Sequence, residues 1–170
     1  MEDGISWEIP QINEKEVIEK LKGTQLKVSQ TLFKMQTAVN RVVIKKAKQN
    51  FSARFSTKPQ NEYVLKGELK KISANFKTMK NPRVKGATQI KNLSYYAKFL
   101  EFSAEIHAKK NKYLVFKIDG EWKKVKSVSL PARPFLGPAV KSVWNSSEAK
   151  TIQEKVLQKV LDNYWKKQGK

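Results

Sequence analysis

The chain contains one histidine, His107, and no cysteine among its 170 residues. A general base or a metal ligand works through convergent partners, and His107 has only Glu105 and Lys109 close by in sequence, the setting of a surface or strand-edge residue. Without cysteine there is no thiolate nucleophile, no disulfide scaffold and no Cys-based zinc site. The 15 acidic residues form no close cluster suited to a two-metal centre. No glycine-rich loop is followed by the Lys-Ser/Thr pair that cradles phosphate. The sequence therefore predicts no catalytic, cofactor-binding or metal site, and a protein that is not an enzyme.

The chemistry that is abundant is cationic. Lys and Arg number 35, giving a formal net charge of +20. The first 20 residues hold six acids and two bases, whereas residues 21–130 hold 25 bases and six acids. Lysines 109, 110, 112, 117, 123, 124 and 126 crowd one short stretch, and Lys109, Lys110, Lys112, Lys123, Lys124 and Lys126 are the candidate basic face. Such a field attracts phosphate backbones, anionic membranes or acidic proteins, and charge alone does not choose among them. Lysines that merely keep a surface solvated would look the same. Tyr95, Tyr96 and Phe99 lie near lysines and could stack bases. Their spacing equally fits the buried face of a helix, which is the expectation adopted.

Hydrophobic periodicity supplies the elements that would position these groups. Asn13 and Glu16 have the spacing of a capping box at the start of a short helix. Val28, Leu32, Met35, Val39 and Val42 draw an apolar stripe along a helix over residues 24–50. Residues 52–61 read as a loop, and residues 63–79 as a helical turn followed by a strand. Asn92 precedes a short buried helix carrying Leu93, Tyr96, Ala97 and Leu100. Residues 113–118 and 122–128 flank Asp119-Gly120 as a β-hairpin, on which the long helix is expected to pack, with Tyr113, Val115, Trp122 and Val128 facing inward. After Pro131 and Pro134, Ile152, Val156, Val160 and Tyr164 mark a C-terminal amphipathic helix. The fold class is α+β: a long N-terminal helix and a C-terminal amphipathic helix packed on a small, mostly antiparallel β-sheet. Residues 1–22 form an acidic N-terminal arm with a short helix, and residues 23–170 a single domain. The acidic N-terminus is unlike a secretory signal, and no apolar run approaches the roughly 20 residues that span a bilayer, so synthesis in the cytoplasm without a membrane partner is expected.

One segment is distinctive beyond its periodicity. Pro131-Ala132-Arg133-Pro134-Phe135-Leu136-Gly137-Pro138-Ala139 follows the Lys-rich hairpin and precedes the final helix, and Tyr96-Ala97-Lys98-Phe99-Leu100-Glu101-Phe102 lies upstream. Together with the long helix ending in Ala47-Lys48-Gln49-Asn50 and the Gly67, Leu69 element, this order resembles the neck or tail-completion proteins of long-tailed bacteriophages, a head–tail connector family similar to phage virion morphogenesis proteins. Two departures stand out. Ser103-Ala104 replaces the family's Gly-Thr, and Ile72-Ser73 reverses its Ser-Ile.

The resemblance implies a structural virion protein, located in the neck and tail region, that assembles as a homo-oligomeric ring, six-fold to match the tail. Its partners would be neighbouring connector and tail-terminator proteins, and its channel would pass DNA. A basic nucleic-acid-binding protein without catalytic activity is the alternative that the charge supports. Within the distinctive segment, Arg133, Pro134, Phe135 and Leu136 are the junction residues. The prolines stiffen the backbone beside Arg133, Phe135 and Leu136 supply an apolar anchor, and Glu101 is the candidate carboxylate for the Arg133 guanidinium.

Overall fold

In a computed structural model, residues 5–8, 13–24, 26–55, 71–84, 87–109, 112–118 and 120–169 are described. The fold is α+β. Its spine is α2 (Val28–Phe55), a 28-residue helix. The fully covered apolar positions Leu32, Met35, Val39, Val43, Ala47 and Phe51 are spaced mostly by four residues. Because an α-helix turns about 100° per residue, a row of such steps drifts around the axis. The two ends of α2 therefore face different neighbours. Leu32 and Met35 join Val17, Leu21 and Leu157 in one cluster, drawing in α1 (Glu14–Leu21) and the C-terminal helix. Val39, Val43, Ala47 and Phe51 join Ile72, Phe76, Ile90, Phe135 and Leu136 in the larger core. The same drift makes Val43, rather than Val42, the buried member of the stripe.

The main sheet is antiparallel with strand order β1-β3-β2, built from β1 (Ile5–Glu8), β2 (Phe76–Lys80) and β3 (Thr88–Asn92). β3 turns Thr88, Ile90 and Asn92 inward, and its two polar members are matched. Gln36 Oε1 accepts from the Thr88 N–H (2.6 Å) and hydroxyl (3.0 Å), while Asn40 Nδ2 donates to Thr88 Oγ1 (2.9 Å). Asn92 Nδ2 donates to the Ile72 carbonyl, and its Oδ1 accepts from the Ser94 N–H. Directional bonds of this kind fix the register of α2 on β3, which apolar contact alone does not.

Several expectations are corrected. The long helix runs on through residues 52–55, because Phe55 stacks on Phe51 one turn earlier (4.6 Å between centroids). Asn13 stands at the N-cap of α1, but its side chain makes no capping bond. Glu16 pairs with Lys20 instead (2.8 Å), a contact whose hydrogen bond holds the Glu16 carboxyl below its ordinary pKa and raises the Lys20 ammonium. The expected single C-terminal helix is two, α4 (Leu136–Trp144) and α5 (Ser147–Gln168), parted at Asn145 and Ser146. The alternation at Ile72 resolves as helical residues 71–74 followed by β2, whereas Gly67 and Leu69 lie outside the described residues. No described helix is long and apolar enough to cross a membrane.

The largest correction concerns packing. α2 lies against α4, α5, α1 and the β2–β3 pair, and has no substantial contact with the 113–128 hairpin. Val39→Asp should place an unpaired charge in the filled core and cost several kcal/mol, so that the melting temperature falls by roughly 10 °C or more. Trp122→Ser, in the hairpin, should leave it unchanged; circular dichroism melts of the two variants check the assignment.

Candidate functional site

Two short sequence motifs meet at one carboxylate. The six-residue α3 (Ala97–Phe102) turns Ala97 and Glu101, four residues apart, toward the interior. Glu101 is only 3% exposed. Its Oε2 accepts from the backbone N–H groups of Phe135 (2.9 Å) and Leu136 (3.0 Å), and its Oε1 from that of Gly137 (2.7 Å). These are the first donors of α4, which no intrahelical carbonyl can satisfy. The positive end of the helix dipole also favours a negative group there. Pro138 comes next and has no N–H to satisfy. A single side chain thus completes the start of α4 from 34 residues away.

The anchor beside the clasp is aromatic. Phe135 and Leu136 are both fully buried. The Phe135 ring meets Phe51 (5.1 Å) and Phe76 (5.9 Å) edge-on, the geometry that ring quadrupoles prefer. Asn50 Nδ2 donates to the Phe135 carbonyl (3.2 Å). Arg133 departs from expectation: its backbone N–H donates to the Leu100 carbonyl (2.7 Å), and its guanidinium lies over the Phe55 ring (5.8 Å). Glu101 is engaged by the three N–H groups and forms no ion pair with Arg133 among the described residues. Pro134 is half-buried two residues before α4. The roles of Gly137 and Asn50 escape sequence reasoning, since a backbone donor and a side chain 85 residues away carry no periodic signal.

Between the two halves of the clasp the chain makes an excursion. Residues 102–109, 112–117 and 120–134 are all at least partly exposed. β4 (Ala104–His107) pairs with β7 (Ser127–Leu130), and farther out β5 (Leu114–Ile118) pairs with β6 (Glu121–Val125), with Gly120 at φ +85° in the turn. This is a β-arm, tied at its base by Glu101 and by the Arg133 to Leu100 bond. Trp122 is 71% and Val115 60% exposed, so the expected inward packing of these residues does not occur. Lys109, Lys112, Lys123, Lys124 and Lys126 are exposed, and Lys110 lies outside the described residues. They do not share one face: Lys123 and Lys124 are consecutive in a strand and point to opposite sides, and Lys123 pairs with Glu121 (2.7 Å). His107 is exposed beside Glu105 (3.6 Å), and the described residues contain no group of three His, Cys, Asp or Glu side chains able to hold a metal ion.

α3 itself is inverted relative to expectation. Its small and charged residues face in, while Tyr95, Tyr96 and Phe102 are more than half exposed. Tyr95 meets Tyr96 and Phe99 edge-on, and Lys98 lies over the Tyr95 and Phe99 rings. The expected burial of Tyr95 and Tyr96 is therefore corrected. Of the twelve exposed large hydrophobic residues among the described ones, eight fall between Leu93 and Trp122, which concentrates the uncovered apolar surface on α3 and the arm.

Ser103 joins α3 to β4 with φ +71° and ψ 161°, a region that glycine alone enters readily. Serine is therefore ill-suited to the turn that it makes here. Ser103→Gly should relieve roughly 1–3 kcal/mol of strain, set against glycine's greater unfolded-state entropy, for a net gain of about 1 kcal/mol. Glu101→Ala should cost about 3–5 kcal/mol by leaving three buried donors unpaired, and Glu101→Gln less, because its amide keeps one acceptor oxygen. Denaturant melts of the three variants check these signs.

Searches of known protein families, curated proteins and solved structures give no match to this chain.

Proposed function

We propose that this chain is a structural virion protein that forms a ring in the neck of a long-tailed bacteriophage, joining the head connector to the tail and leaving a channel for DNA. The observation that carries this reading is the Glu101 clasp. The two segments on which the resemblance rests, residues 96–102 and 131–139, are far apart in sequence yet form one hydrogen-bonded unit. A motif pair that serves a single structural purpose is a stronger basis for likeness than either motif alone.

The uncovered apolar surface supports the same reading. Monomeric proteins rarely leave large contiguous apolar patches bare, and a ring of identical subunits needs two different faces on each one. The aromatic face of α3, with Ile106 beyond it on β4, offers one such face. The ring requires no reaction, only an angle between subunits that closes, and a clasped junction fixes the direction of α4 relative to α3.

Native mass spectrometry and negative-stain electron microscopy of the purified chain should show a closed oligomer. Tyr96→Asp combined with Ile106→Asp should yield a monomer with an unchanged melting temperature. A chain that remains monomeric at all concentrations, or a double variant that still forms rings, would count against this assignment. Pro134→Ala relaxes the backbone before α4 while keeping the Phe135 anchor, and should give folded subunits whose rings close in lower yield.

A further inference from the structure

Among the described residues, the outer half of the arm packs on no other element. β5 and β6 pair with each other and share no substantial contact with any other element. Strand alternation and the register Val115↔Lys124 and Lys117↔Trp122 put Val115, Lys117, Trp122 and Lys124 on one face. Tyr113 joins them, because Lys124 Nζ lies 4.5 Å from the centre of its ring. The other face carries Leu114, Phe116 and Val125, which are half-buried, together with the Lys123–Glu121 pair. The first face therefore alternates flat or apolar groups with cations, each exposed to solvent.

We propose that this face binds nucleic acid, with Lys117 and Lys124 on phosphates and Trp122 stacked on a base. Three observations favour this partner. Lysines are depleted from the centres of protein–protein interfaces, yet here Val115 and Trp122 each have a lysine as direct cross-strand neighbour. Flat rings beside cations are the platform on which unpaired bases stack while their phosphates are neutralised. A membrane would be met by the tip of the arm, where Glu121 follows the Gly120 turn, and anionic headgroups repel its carboxylate. The net charge of +20 adds long-range attraction to any polyanion. The inference does not rest on the ring reading, since one subunit carries the whole face.

The test uses the full chain and three probes: a fluorescein-labelled thymidine oligonucleotide, heparin as a polyanion without bases, and phosphatidylserine vesicles. The oligonucleotide should bind with an affinity that falls steeply with salt. Lys117→Ser with Lys124→Ser should flatten the slope of log K against log salt by about 1.4, at roughly 0.7 for each single-strand phosphate that is no longer neutralised. Trp122→Ala should weaken oligonucleotide binding roughly 5- to 100-fold, leave heparin binding within about two-fold, and be rescued by Trp122→Phe. Equal loss on heparin and oligonucleotide, or unchanged oligonucleotide binding by Trp122→Ala, would overturn the stacking role. Vesicle binding that exceeds oligonucleotide binding and depends on Trp122 would overturn the proposal in favour of a membrane. A ring-deficient Tyr96→Asp/Ile106→Asp protein should retain the Trp122 effect, which separates failure of this inference from failure of ring assembly.

Discussion

A single buried carboxylate holds together three things that the chain would otherwise have to secure separately. Glu101 satisfies the first donors of α4, fixes α3 against it, and closes the base of the arm. A charge-assisted acceptor is worth more than a neutral one, and it is used here where a helix dipole adds to the attraction. Closing a loop of about 30 residues costs only slightly more entropy than closing a short one. A small number of strong bonds at the base therefore suffices to hold a long projection. The Phe135 ring, wedged between Phe51 and Phe76, ensures that the donors arrive where the carboxylate waits.

The same arrangement explains where the apolar surface goes. The core among the described residues is filled by α2, α4 and the β2–β3 pair, and α3 contributes Ala97 to it while Tyr95, Tyr96 and Phe102 stay more than half exposed. It spends its inward face on Ala97 and Glu101, one small enough to approach closely and one needed for the clasp. Much of the apolar surface from Leu93 to Trp122 is left outward among the described residues.

Legibility in the sequence follows the range of the interaction. α2, the hairpin turn at Gly120 and the helix through Val156 are local features, and periodicity or turn chemistry identifies them directly. Periodicity says that a face is apolar without saying what fills it. For that reason it pairs the hairpin with α2, where α4 in fact sits, and it makes Tyr96 buried because an apolar stripe on a short helix usually is. Glu101 is legible as a junction residue but not its partner: charge pairing suggests Arg133, while the geometry gives it backbone donors that no side-chain pattern announces. Ser103 shows the converse, since a residue that argues against a positive φ adopts one because the elements on either side demand it.

The arm has a joint. The inner ladder ends at His107↔Ser127 and the outer one begins at Leu114↔Val125, so on the second strand Lys126 alone separates the two. The ladders are separate hydrogen-bonded units, bridged at their junction by the Ala108 N–H to Lys126 carbonyl bond (3.3 Å). Loss of that one long bond would leave every pair within both ladders intact. Mechanically, the projection is a limb in two segments, each braced by its own ladder and both carried on a shoulder that the Glu101 carboxylate locks.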